Sequence, residues 1–134
     1  MAKVICFGEI MLRLSPPGYL RFVQANSFDA VYGGGEANVS VSLSNYGVDT
    51  AFVTKVPDNS IGESAVNELN RYGVDTGFIA RGGQRLGIYF LEKGASQRAS
   101  KVIYDRAYSA ISEAKIGDFN WNDIFEGAEW FHFT

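Results

Sequence analysis

Three consecutive glycines, Gly33-Gly34-Gly35, stand directly before a stretch, Glu36 to Tyr46, that contains neither Gly nor Pro. Glycines in such a place let a ligand approach the backbone with no Cβ in the way. A helix that starts there offers free N–H groups to oxygen atoms. Asn38, one turn further, carries an amide that both donates and accepts. The run also fits an ordinary strand-to-helix turn with Asn38 as an exposed polar residue, and spacing alone leaves both readings open. Two nucleotide patterns are excluded: there is no G-x-x-x-x-G-K-[ST], and the glycines do not spell G-x-G-x-x-G.

A second group is Tyr89, Tyr104 and Arg106. On a strand, residues two apart share a face, so Tyr104 and Arg106 point the same way. Two phenols and a guanidinium suit a ligand with hydroxyls and a carboxylate, because Arg grips a carboxylate by a two-pronged fork. Read without further context, tyrosines are common in strands and Arg106 is an ordinary surface cation. His132, the only histidine, sits between Phe131 and Phe133. It has no second His beside it and Cys6 is far along the chain, so no metal set is spelled and a structural role fits it better. No G-x-S-x-G elbow supports a serine hydrolase. Asp105 and Asp118 are isolated acids, and Arg81, Arg85 and Arg98 read as solvated loop charges.

The elements that would position these groups follow from patterning. Lys3–Phe7 reads as a buried strand ended by Gly8. Residues 11–32 suggest short strands around a turn, with Leu20–Gln24 and Ser27–Tyr32 as the pair. Glu36–Tyr46 reads as a helix stopped by Gly47. Tyr46-Gly47-Val48-Asp49-Thr50 recurs as Tyr72-Gly73-Val74-Asp75-Thr76. Each copy has a helix before it and a strand candidate after it, Ala51–Val56 and Gly77–Ala80. The second helix carries a start signal, Ser60 with Glu63 as a capping box. Helices alternating with strands imply a largely parallel α/β sheet. Leu86–Glu92 and Lys101–Arg106 have no helix between them and read as an antiparallel pair. With residues 11–32 they would make a small second sheet. Asn120–Gly127 suggests a short helix and Trp130–Thr134 a strand. A parallel sheet needs both faces covered, so that last apolar run suggests a chain cut from a longer one, with a small domain ending on an edge strand as the alternative.

The 134 residues are 46% hydrophobic and 20% charged, enough for a real core, with a net charge of -3. That balance gives no footprint for nucleic acid or an anionic membrane. A single cysteine allows no internal disulfide and fits a reducing, cytoplasmic setting. The N-terminal apolar run is too short for a signal peptide, and no stretch approaches a membrane span.

Gly33-Gly34-Gly35-Glu36-Ala37-Asn38-Val39-Ser40, then Gly47, then Pro57-Asp58-Asn59-Ser60-Ile61-Gly62, resembles the N-terminal signature of the ribokinase/PfkB carbohydrate kinases. Phe7-Gly8-Glu9-Ile10-Met11-Leu12-Arg13-Leu14-Ser15-Pro16 resembles the family's first strand and turn. Pro57 stands where the family usually has Gly, and Arg13 where many members have an Asp that binds sugar hydroxyls. The set is most similar to the 2-keto-3-deoxygluconate kinases. The family's second signature, a D-T-x-x-x-A-G-D stretch bearing the catalytic Asp and an anion hole, does not occur here.

The resemblance implies the N-terminal part, residues 1–134, of a ribokinase-like three-layer α/β/α domain. Its projecting sheet, within 11–32 and 86–106, would close over the sugar as a lid and form a dimer contact. The implied reaction is phosphoryl transfer from ATP, with Mg2+, to a sugar acid such as 2-keto-3-deoxygluconate. Gly33, Gly34 and Asn38 would meet the hydroxyls and Tyr89, Tyr104 and Arg106 the carboxyl end. The catalytic base and nucleotide site would lie in the missing half, leaving the chain inactive alone. The alternatives are a kinase for a neutral sugar or a nucleoside, and a non-catalytic sugar-binding remnant.

Overall fold

The computed structural model describes residues 3–134. A three-stranded parallel sheet forms its centre, with β1 (Lys3–Phe7) between β4 (Asp49–Val53) and β9 (Trp130–His132). Side chains alternate across a strand, and β1 shows it. Val4 and Cys6 face a cluster with Phe52, Ala37 of α1 (Gly35–Asn45) and Ala65, Val66 and Leu69 of α2 (Ser60–Arg71). Ile5, with Ala51 and Val53, faces the opposite cluster around Ile124 of the short α3 (Trp121–Phe125). Phe7, Phe119, Trp121 and Phe131 extend that second layer as an aromatic network. Helices on both faces of a parallel sheet make this the α/β/α arrangement expected from the sequence.

The repeated Tyr-Gly-Val-Asp-Thr acts as a helix stop in both copies. After α1, Gly47 takes φ +81, the Gly47 N–H bonds the Ser44 carbonyl and the Val48 N–H reaches back to Leu43. After α2, Gly73 takes φ +79 and the same two bonds run from Gly73 to Asn70 and from Val74 to Leu69. This is a Schellman closure, which needs a left-handed residue that glycine supplies without strain. Beyond the first stop the chain enters β4. Beyond the second, Asp75 bonds back and forth with Thr50 and Phe52.

The second sheet has four strands in the order β3 (Asp29–Gly33), β2 (Met11–Ser15), β7 (Ile88–Glu92), β8 (Lys101–Asp105). It draws on the two expected segments, and β7 and β8 are antiparallel. A two-stranded pair, β5 (Lys55–Val56) with β6 (Ala80–Arg81), completes the strands.

Four local expectations change. Leu20–Gln24 is no strand: Phe22–Gln24 forms a 3₁₀ turn whose Phe22 N–H donates to the buried Glu92 carboxylate, while the Phe22 ring packs edge-on against Phe90. The partner strand of β3 is instead Met11–Ser15. Helix α2 is capped by Asn59, whose Oδ1 accepts from the Gly62 N–H, and not by Ser60. Glu63 is thereby free to pair with Arg81 at 3.0 Å. The expected strand Gly77–Ala80 shrinks to Ala80–Arg81, because the Asp75 side chain bonds the Gly77 N–H and turns the chain. The loop arginines are tied down too: Arg85 binds Asp105, and Arg98 donates to the Tyr19 and Lys93 carbonyls.

Candidate sugar-binding site

In open parallel sheets, ligands bind outside the carboxyl ends of the strands. Here Gly8 and Glu9 follow β1 and Thr134 follows β9, beside the N-terminus of α1. A cavity of about 400 Å³ opens there, lined by Gly8, Glu9, Gly35, Glu36, Tyr104 and Arg106 among others. The central sheet supplies its floor, and the last two residues come from β8 and the segment just after it.

Of the three glycines, Gly34 is the one that close approach requires, whereas Gly35 faces open space. A Cβ on Gly34 would collide with the Glu9 carbonyl oxygen, so the turn into α1 admits no side chain. A Cβ on Gly33 would lie 3.0 Å from the Tyr89 hydroxyl and 3.7 Å from Asn38 Oδ1. Tyr89 and Tyr104 face each other in register across β7 and β8, with ring centroids 6.1 Å apart. The Arg106 guanidinium lies over the Tyr104 ring at 4.7 Å, a cation–π contact. A continuous path therefore runs from Asn38 and Gly33 through Tyr89 and Tyr104 to Arg106.

These six residues do not all line one cavity. Tyr104 and Arg106 border the cavity described above. Gly33 and Asn38 border a neighbouring one of about 350 Å³, between β3, α1 and α2, with Ser42 and Tyr72. The Tyr89 hydroxyl, set against Gly33, links the two groups.

Sequence reasoning passed over two acids. Glu9 Oε1 accepts from Arg106 Nη1 at 3.1 Å. Glu36, buried in the first turn of α1, accepts a short hydrogen bond from the Thr134 hydroxyl, and its carboxylate fills the space a side chain on Gly8 would need. The available signal was position: a charged residue one step past a buried parallel strand, and another in the first turn of the facing helix. Beneath them, burial, and secondarily the Glu36 charge, push the Cys6 thiol up to about 11. It is therefore no nucleophile near neutral pH. Among the described residues no three His, Cys, Asp or Glu side chains converge as metal ligands. His132 lies on β9.

Parallel strands ending at a glycine-rich helix start, faced by tyrosines and an arginine from a separate sheet, define an α/β protein with its cavity at the carboxyl ends of the strands. The chain belongs to the pfkB family of carbohydrate kinases, whose family model matches residues 1–133. It is 61% identical to 2-dehydro-3-deoxygluconokinase from Thermotoga maritima, whose crystal structure superposes with a TM-score of 0.97 over 99% of this chain and 41% of that one. It is 37% identical over 131 residues to the 2-dehydro-3-deoxygalactonokinase of Haloferax volcanii, covering 98% of this chain and 41% of that protein. A Pyrococcus horikoshii sugar kinase solved in complex with ATP is 29% identical with a TM-score of 0.84, over 96% of this chain and 41% of that one. The chain thus spans about two-fifths of the length of these relatives. Among the described residues no helix is long and apolar enough to cross a membrane.

Proposed function

We propose that the chain forms the sugar-recognition part of a cytoplasmic kinase that transfers the γ-phosphoryl group of ATP to a hydroxyl of 2-keto-3-deoxygluconate (the 2-dehydro-3-deoxygluconate of the relatives' names). The observation that carries this is Arg106, stacked on Tyr104 at the mouth of a cavity built on the carboxyl ends of β1 and β9. Sugar hydroxyls would meet Gly33, Gly34 and Asn38, and the carboxyl end would meet Tyr89, Tyr104 and Arg106. A sheet projecting over the site would exclude water, which protects a transferring phosphoryl group from hydrolysis. The same sheet would serve as the contact between two copies. ATP and Mg2+ would be held, and the hydroxyl deprotonated, by residues outside this chain. Phosphoryl transfer rests on positioning and electrostatics, and this chain contributes positioning.

The reading has two tests. The purified 134-residue chain, given ATP, Mg2+ and the sugar acid, is expected to release no ADP, and sugar-dependent turnover would refute the division of labour. In the full-length gene product, Arg106→Lys loses the fork but keeps the charge. It should raise KM for the sugar acid by about tenfold or more, since charge-assisted bonds of this kind are worth about 1.5–3 kcal/mol, with little effect on a neutral sugar. Equal losses for both would favour the neutral-sugar alternative. One feature speaks for that alternative: Glu9 already occupies one nitrogen of Arg106.

A further inference from the structure

We infer that Glu9 is a positioning residue for Arg106, and through it a determinant of specificity for carboxylated sugars; the inference rests on the sugar-acid reading above. Glu9 lies in the short link from Gly8 to Ile10 that carries the chain from β1 of the central sheet to β2 of the second, whereas Arg106 directly follows β8 at the edge of that second sheet. The pair is asymmetric: the Glu9 side chain is 17% exposed and the Arg106 side chain 52%. A carboxylate so far out of water needs a fixed partner, because an unpaired buried charge is strongly disfavoured. Arg106 is that partner, and the mostly buried acid in turn anchors a long, half-exposed cation.

Gly87 makes the arrangement possible. A Cβ there would stand 2.5 Å from Glu9 Oε2 and 3.0 Å from Arg106 Cβ, so both side chains use the space that a side chain at 87 would take. With Glu9 on Nη1 and the Tyr104 ring against the guanidinium, Arg106 is held from two directions. That removes rotamer freedom which would otherwise be lost on binding. Among the described residues Nε and Nη2 make no hydrogen bond, and an arginine fork needs two adjacent N–H groups. The Nε–Nη2 edge therefore remains for an incoming carboxylate. Glu9 and a sugar carboxylate would share one guanidinium, so Glu9 contributes direction to the contact and not attraction.

The test uses the full-length gene product, with initial rates at saturating ATP. Two substrates are compared: 2-keto-3-deoxygluconate and its neutral analogue with hydroxymethyl in place of carboxylate. Glu9→Ala, which removes the acceptor that holds Arg106, should raise KM for the acid by about tenfold, leave kcat within about twofold, and leave the neutral analogue unchanged. Glu9→Ala combined with Arg106→Ala should be no worse than Arg106→Ala alone, since residues acting as a unit are not additive. If Arg106→Ala separates the two substrates but Glu9→Ala leaves KM for the acid unchanged or shifts both alike, Glu9 does not position Arg106 and the inference falls while the sugar-acid reading stands. If Arg106→Ala itself fails to separate them, the reading falls and the inference with it. Should the melting curve show that Glu9→Ala does not fold, Gly87→Ala displaces the same carboxylate without removing it. An unchanged KM for the acid in that variant overturns the proposal.

Discussion

The two sheets solve the same problem, keeping strands together, by different means. In the central sheet β1 and β4 are sealed on both faces, and Ile5, Ala51, Phe52 and Val53 have no solvent exposure. In the projecting sheet every residue of β8 is exposed, Val102, Ile103 and Tyr104 at 44%, 48% and 59%. There β2 and β7 hold the register, and packing comes from Phe22 and Phe28 against Phe90. Burial fixes the first sheet as a platform. The second leaves the side chains of one edge strand open to solvent.

The contrast breaks most readily at Phe52. Phe52→Ala should cost about 3–5 kcal/mol in urea denaturation, as buried aromatic truncations do. Ile103→Ala on β8 should stay within about 1 kcal/mol. Similar losses at both sites would mean that β8 is covered in solution.

A smaller effect of the central sheet's burial is visible with pH. Cys6 ionises at about 11 when folded and near 9 when unfolded. The folded state then holds its proton while the unfolded state loses it, so stability present below pH 9 declines as pH rises from 9 through 11. The loss approaches about 3 kcal/mol by the end of that window. Cys6→Ala should flatten that part of the stability–pH curve, and an unchanged slope would show the thiol to be solvated. Smaller still is the cap of α2. Asn59→Ala should cost about 1 kcal/mol, and a loss well above that would mean Asn59 also supports the close approach of Gly62 to the Pro57 carbonyl.

Much of the central architecture was legible because it is written in local chemistry. The two Tyr-Gly-Val-Asp-Thr copies announce helix stops, and the Val-Ile-Cys-Phe run announces a buried strand. The projecting sheet was harder to read. Its pairing of β2 with β7 joins residues some 75 positions apart, and no short-range pattern encodes such a partner. Apolar residues at 20–24 imitate a strand although Phe22 is a plug on Phe90. Ser60 imitates a cap because Ser-x-x-Glu and Asn-x-x-Gly are offset by only one residue, and the Asn59 side chain takes the free N–H of Gly62. At the site, Gly33, Asn38, Tyr89, Tyr104 and Arg106 were named from residue type and resemblance. Glu9 and Glu36 were not, because a lone acid after a strand or in a first helical turn usually faces water, and only the fold turns these two inward.

The lone sulfhydryl of the chain is buried on β1, the middle strand of the central sheet. It makes a built-in reporter. A thiol reagent can mark the molecule only at moments when the platform itself opens, so the labelling rate counts those moments.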